Sequence, residues 1–248
     1  MNSTMTNTPG DAPQSTVTLA DVWRSGHEAP AARLEIRATR PGDFAAIRDL
    51  QRAAYPSIPA WTDEQLASQI AAFPEGQMVA EQSGRIIGAS ASLVVPWDEY
   101  AVDHTWSGIT GNGRFTTHDP RGRTLYGAEV VVDSRRRGHG VGRALYKARR
   151  NLCQRLNLRR IIAAGRLPGY APVKDVMSPE LYAMRVVWGD IPDPVLRFQL
   201  SQGFHYCGVI HNYLPEDAPS CGHAALIVWL NPRYQPPRPA ALVRKVPK

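Results

Sequence analysis

A single domain of mixed α/β class is what this 248-residue sequence predicts. Three observations carry the prediction. Hydrophobic segments of period two and period 3.6 follow one another in the order strand, two helices, three strands, helix, strand, two helices, two strands. No segment repeats at a fixed interval, which excludes a solenoid or propeller. With 43% hydrophobic and 21% charged residues, the chain can bury one large core.

Residues 1–32 are rich in Thr, Pro, Ala and Asn without periodicity, so they read as a disordered extension. The domain, expected to span residues 33–231, opens with a short alternating strand at 33–38. Phe44, Ile47, Leu50 and Ala54 then recur at helical spacing. Thr62 and Gln65 fit a capping box, and Leu66, Ile70 and Phe73 make one face of a second helix. Strands at 77–81 and 85–95 follow, joined by a turn at Ser83 and Gly84. Residues 96–124 are irregular, and a connection of that length is commonly functional. Residues 124–133 read as a buried strand. From Gly140 to about Asn157, Val141, Leu145, Ala148, Leu152 and Leu156 share one helical face. A strand at 159–165 leads into a second irregular stretch, 166–193, that holds one helix. Ser178 caps that helix, Pro179 sits in its first turn, and Leu181, Met184 and Trp188 are spaced to share a face. Asp193, Pro194 and Gly203 cap, start and end the closing helix. Strands at 204–210 and 224–230 finish the domain. Residues 232–248 form a basic, Pro-rich tail without an acidic residue, read as a solvated extension.

Composition narrows the class further. No apolar run approaches the roughly 20 residues of a membrane span. The first sixteen residues have neither the basic nor the apolar region of a secretory signal. Cys153, Cys207 and Cys221 form no CxxC pair, which argues against a disulfide framework or a zinc site and for a reducing, cytoplasmic setting. The histidines show no metal-ligand spacing, so no metal is expected. A net charge of +7 suggests an anionic partner without naming it.

The strongest local signal is "VVVDSRRRGHGVGRALYKARR", from Val130 to Arg150. A buried strand stops at Asp133 and a helix starts near Gly140. The turn between them holds Gly138 and Gly140, and Gly142 follows. Glycine lets the backbone take strained angles and lets a ligand approach main-chain amides. The first amides of a helix lack partners within it, and its dipole favours an anion there. A phosphate or pyrophosphate suits such a site, with Arg135, Arg136, Arg137 and Arg143 adding charge. A P-loop is excluded because no Gly-Lys-Ser/Thr follows. The dinucleotide fingerprint is excluded because the spacing is G-x-G-x-G and no parallel βαβ unit opens there. A nucleic-acid contact through the arginines gives the glycines no role and ranks last.

Arg137-Gly138-His139-Gly140-Val141-Gly142 resembles the R/Q-x-x-G-x-G/A signature of the GNAT acyl-CoA N-acyltransferases. "IRATRPGDFAAIRDL", "VAEQSGRIIGASA" and "QLSQGFHYCGVI" resemble that family's first strand and helix, its second and third strands, and its closing helix–strand unit. "THDPRGRTLYGAEVVV", "RRIIAAGRLPGY", "MSPELY", "DPVLRFQL" and "NYLPED" are closer still to the GNAT domain found fused to carbon–nitrogen hydrolases, here read as standing alone without hydrolase chemistry. The resemblance implies a mostly antiparallel central sheet flanked by helices and acetyl-CoA as co-substrate. It places pantetheine along Val130, Val131 and Val132, and pyrophosphate on the amides from Arg137 through Gly138, His139, Gly140 and Val141 to Gly142, with Arg143 at the helix start.

Acyl transfer to an amine requires the amine to lose a proton and the departing thiolate to be stabilised or protonated. The family commonly uses a strand glutamate for the first step, and Glu129 matches it. The tyrosine that usually serves the second step falls on Gln199, which cannot donate as an acid. Tyr170, Tyr182 and Tyr206 are replacements by residue type alone. The acceptor, a small-molecule amine or a lysine side chain, is expected among the two irregular stretches, near Asp98, Glu99, Asp103, His104, Trp106, His118, Tyr170, Lys174, Asp175 and Trp188. The competing reading is a non-catalytic acyl-CoA-binding module serving a partner enzyme. Membrane attachment is not expected, and the oligomeric state stays open between monomer and homodimer.

Overall fold

A computed structural model gives the fold and describes Met1, residues 33–100 and residues 104–236. The chain divides at Arg33/Leu34, and the unit that begins at Leu34 carries every described strand and helix. The expected extension lies, Met1 apart, outside the described residues. The strands are β1 (Glu35–Ala38), β2 (Met78–Gln82), β3 (Arg85–Val95), β4 (Thr124–Val132), β5 (Arg160–Arg166), β6 (His205–Ile210) and β7 (Ala224–Leu230). The helices are α1 (Phe44–Ala54), α2 (Asp63–Ala72), α3 (Trp106–Thr110), α4 (Val141–Arg155), α5 (Pro179–Trp188) and α6 (Leu196–Ser201). The seven strands form one sheet in the order β1-β2-β3-β4-β5-β7-β6. Every pairing is antiparallel except β4 with β5. This is the mixed, mostly antiparallel sheet flanked by helices that the resemblance implied.

Local chemistry sets the boundaries. Ser83 and Gly84 take φ of 53° and 71°, the left-handed pair that a two-residue hairpin turn requires. The Thr62 hydroxyl accepts from the Gln65 amide while the Gln65 side chain accepts from the Thr62 amide, a complete capping box for α2. The Asp193 carboxylate accepts from the amides of Val195 and Leu196 and so starts α6.

Successive strand residues enter opposite layers. Tyr126, Val131, Ile162 and Leu226 pack with Phe44, Ile47, Leu66 and Ile109 from α1, α2 and α3. Leu125, Ile161, Ala163 and Ile227 pack on the other face with Tyr146, Leu152, Tyr182 and Leu196 from α4, α5 and α6.

Four expectations need correction. The face of α5 shared by Leu181, Met184 and Trp188 is not the core face. Leu181 is exposed and Trp188 is 63% exposed, while Tyr182, Ala183 and Val186 are buried. Helical spacing finds a face but not its direction; here the Tyr182 hydroxyl, donating to Asp193, turns the helix inward on that side. Leu156 leaves the buried stripe of α4 because the helix stops at Arg155 and Asn157 turns left-handed. The irregular stretch 96–124 contains α3, capped by the Thr105 hydroxyl, which accepts from the Gly108 amide. The glycine turn does open a parallel βαβ unit, because β4 and β5 pair in parallel around α4. Gln235 exchanges two hydrogen bonds with Asn157.

Candidate active site

β4 and β5 pair only where Thr124–Gly127 meets Arg160–Ala163. Beyond that point β4 follows β3 to Val132, and β5 follows β7 to Arg166. The two strands part, and a cleft of about 1350 Å³ opens between them.

A β-bulge helps to bend β4 away. Ala91 of β3 faces Glu129 and Ser92 faces Gly127, so Ala128 is the extra residue. Arg149, from α4 and only 1% exposed, pins the bulge. Its guanidinium donates to the Ser92 hydroxyl at 2.9 Å, to the Ala91 carbonyl at 3.0 Å and to the Glu129 carbonyl. Gly127 admits it, since a Cβ there would lie 2.8 Å from its Nη1. Replacing Arg149 with Met removes its hydrogen bonds to two strand carbonyls. We expect a loss of about 2 kcal/mol in urea unfolding, together with lower turnover as the bulge relaxes.

The bulge aims Glu129 into the cleft, where its side chain remains partly accessible. The Gln51 side-chain amide donates to its carboxylate at 2.7 Å. Gln51 is itself fixed, because its oxygen accepts from the Trp61 amide at 3.0 Å. Burial pushes the Glu129 carboxyl up to about 7, against the opposing pull of the Gln51 hydrogen bond and the Arg149 charge. A carboxyl with a pKa there takes up and releases a proton near neutral pH.

The surroundings of Glu129 are aromatic and apolar. Trp61 and Trp106 stack with ring centroids 6.2 Å apart. Tyr55 spans the parted strands. Its hydroxyl donates to the Val130 carbonyl of β4 at 2.9 Å, and the Arg166 guanidinium of β5 lies 4.8 Å from its ring centre. Arg166 is paired to the buried Asp217 through two hydrogen bonds. Pro56, Ile58, Pro59, Leu214, Pro215 and Pro219 complete this end of the cleft.

The glycine turn forms the other end. Gly138 and Gly140 take φ of 80° and 82°, a region closed to most residues with a Cβ. Among the described residues, nothing accepts a hydrogen bond from the amides of Gly138, Gly140, Val141, Gly142 or Arg143. The amides of Arg137 and His139 instead turn back to the carbonyls of Ser134 and Arg136. Arg136, Arg137 and Arg143 line the mouth, whereas Arg135 is held by Asp133 at 2.9 Å. The arrangement is a concave set of donors with positive charge around it, suited to a phosphate-like anion.

The structure thus brings Glu129, Val130, Val132, Arg137, Gly138, Gly140, Val141, Gly142 and Arg143 to one cleft. Val131 points its side chain into the layer beneath α1. His139 is exposed, with Nδ1 against the Arg137 carbonyl.

Of the expected acceptor-site residues with a described side chain, only Trp106 lines the cleft. His104 is buried beside the Tyr126 hydroxyl, His118 stacks on Phe73, and Asp98 faces Arg160. Lys174, Asp175 and Trp188 are exposed elsewhere. Asp103 lies outside the described residues. Tyr170 and Tyr182 spend their hydroxyls on the Met177 carbonyl and on Asp193, and Tyr206 does not reach the cleft. Gln51, Tyr55, Trp61, Arg149, Arg166 and Tyr213 were not anticipated: all but Arg149 come from segments distant in sequence, and Arg149 lies in the singled-out stretch but is turned inward by the packing of α4. Among the described residues no group of three or more His, Cys, Asp or Glu could hold a metal ion, and no helix is long and apolar enough to cross a membrane.

Comparison with known proteins decides the family. The model of the acetyltransferase (GNAT) family matches residues 44–171, from α1 through the parted strands and the glycine turn. The chain belongs to the GNAT acetyltransferase family. The uncharacterized N-acetyltransferase YkwB of Bacillus subtilis is 35% identical over 206 residues, which cover 82% of this GNAT chain and 91% of YkwB. The probable hydrolase YhcX of the same organism is 42% identical over 204 residues. Those residues are 82% of this chain but only 40% of YhcX, so the GNAT chain spans less than half of that longer protein. Among solved structures, the GNAT-like decarboxylase GphF in complex with isobutyryl-CoA superposes with a TM-score of 0.66 at 25% identity, covering 79% of this chain and 99% of that one. The loading GNATL domain of CurA from Lyngbya majuscula gives 0.71 at 18% identity, covering 80% and 98%, a likeness of fold.

Proposed function

We propose that this GNAT enzyme transfers an acyl group, acetyl in the simplest case, from acyl-CoA to a primary amine by direct attack in a ternary complex. The observation that carries the reading is a single cleft with a carboxyl of pKa about 7 in its wall and a fan of open amides at its mouth. The isobutyryl-CoA in GphF supports a CoA thioester as co-substrate. The open amides and Arg137 and Arg143 would hold the pyrophosphate, and the edge of β4 that β5 leaves unpaired would run beside pantetheine. The thioester then lies between the parted strands, near Glu129. Ionised Glu129 takes a proton from the amine, directly or through water, as the nitrogen attacks the thioester carbon. The aromatic and proline-rich lining around it suits an amine on an apolar body, as a small molecule or a lysine side chain.

The test is CoA release from acetyl-CoA and isobutyryl-CoA across a panel of primary amines, followed with a thiol reagent. Amine-dependent release supports the reading; tight CoA binding without release from any amine sinks it in favour of a binding module.

The likeness to GphF favours one other reading, loss of CO2 from a carboxyacyl thioester. That reaction needs no amine and leaves the thioester intact. The Glu129 carboxylate beside a substrate carboxylate opposes it, so carbon dioxide release from malonyl-CoA without thiol release is the outcome that would favour it.

A further inference from the structure

Three described tyrosines line the cleft: Tyr55, Tyr146 and Tyr213. Tyr55 donates its proton to the Val130 carbonyl. Tyr213 shares a 2.7 Å hydrogen bond with the buried Tyr126 hydroxyl. Tyr146 differs. Its hydroxyl accepts from the Gln199 side-chain amide at 3.1 Å, and among the described residues nothing accepts its own proton. Its ring is wedged edge-on between Phe198 and Phe204, with centroids 5.4 and 5.5 Å away. Gln199 is 6% exposed, and its side-chain oxygen is buried without a partner among the described residues. The oxygen lies against Gly165 of β5, where any Cβ would collide with it. A buried amide oxygen therefore stands unsatisfied beside a hydroxyl whose proton has no acceptor among the described residues, and such an arrangement in one wall of the cleft calls for an explanation.

Their position relative to Glu129 supplies one. Glu129 bonds Gln51 on the α1 side of the sheet. Tyr146 lies on the α4 side, packed with Leu125 and Ala163. The cleft passes between the strands and is lined from both sides. A group entering from the α1 side and one leaving toward the α4 side would meet Glu129 and Tyr146 in turn.

We propose that Tyr146, held by Gln199, is the acid that protonates the departing CoA thiolate; this rests on the N-acyltransferase reading above. The amine nitrogen bonds to the thioester carbon and its proton passes to Glu129. The C–S bond then breaks, its electron pair goes to sulfur, and the Tyr146 hydroxyl proton moves to that sulfur. The phenolate left behind is stabilised by the Gln199 amide and by the Arg149 guanidinium, 5.5 Å from the ring centre, until water returns a proton. Glu129 gives its proton to solvent, and the cycle closes. Burial holds the Tyr146 hydroxyl protonated through neutral pH, with Arg149 and the Gln199 hydrogen bond pulling the other way. The tyrosine that the family carries at Gln199 is thus replaced by one on a different helix, and the glutamine positions it.

The experiment compares Tyr146→Phe, Gln199→Leu and the double variant, reading CoA affinity by calorimetry and kcat by thiol release with the best amine. Phenylalanine keeps the ring between Phe198 and Phe204, so folding should survive, and a matched thermal melt checks it. Tyr146→Phe should lower kcat on the order of 10²-fold with CoA affinity within about threefold. Gln199→Leu should lose about tenfold, and the double variant should be no worse than Tyr146→Phe alone, because the glutamine acts through the tyrosine. A Tyr146→Phe enzyme with undiminished kcat, or one that loses only CoA affinity, would overturn the assignment. Additive losses in the double variant would overturn the part given to Gln199. Absence of amine-dependent CoA release by the unaltered protein would defeat the acyltransferase reading itself, and this inference with it.

Discussion

Glu129→Gln should lower kcat on the order of 10³-fold while CoA affinity stays unchanged. The amide keeps the shape and can still meet Gln51, but it cannot take a proton. In the unaltered enzyme the base form predominates only above its pKa of about 7. Activity should therefore rise with pH to a plateau and fall about tenfold per unit on the acid side. The Gln variant should lose that limb. Stability gives an independent reading. The unfolded carboxyl releases its proton at the usual carboxylate pKa, whereas the folded one holds it up to about 7. Folding binds this proton between those values, so this group's contribution to stability is present at low pH and declines as pH rises toward 7. Glu129→Gln should accordingly melt higher than the parent at pH 8, and the gain should shrink at pH 5. A variant that keeps both turnover and the acid limb would remove Glu129 from the mechanism.

Gly140→Val should weaken CoA binding on the order of 10²-fold, the loss of one to two charge-assisted hydrogen bonds. The residue sits at φ 82°, ahead of the first turn of α4. A β-branched side chain does not hold that angle. The turn would rearrange and carry the amides of Gly140, Val141 and Gly142 off their common aim. The core should notice little, because a Cβ at this position meets nothing within 4 Å. We expect a stability loss of only about 1–2 kcal/mol from backbone strain. Calorimetry with CoA and a thermal melt separate the two effects. Unchanged affinity in a rearranged turn would contradict the anion site.

The glycine turn was legible because its chemistry is local. Gly138 and Gly140 specify left-handed backbone wherever the chain goes, and the strand and helix around them follow from short-range patterns. The same holds for the Thr62–Gln65 box and the Asp193 cap, where both partners lie within one turn of helix. Glu129 could be picked out by its place in the strand, but its proton affinity could not. That depends on Gln51, 78 residues away in sequence, and on burial under α1. Tyr146 reads in sequence as one more residue of an amphipathic helix, and Gln199 as a missing tyrosine. Only their contact across 53 residues joins them. The direction of α5 was missed for the same reason, since its inward side was chosen by Tyr182 reaching Asp193.

By itself, then, the sequence determined the order of the seven strands, most of the helices, the left-handed backbone at Gly138 and Gly140, and the family. Tertiary structure decided how far β4 and β5 part, what sits beside Glu129, and which tyrosine keeps an uncommitted proton. The division follows the range of the forces. Backbone sterics and capping act over three or four residues and are written in neighbouring letters. Desolvation and the pairing of buried polar groups depend on everything packed nearby, whatever its position in the chain.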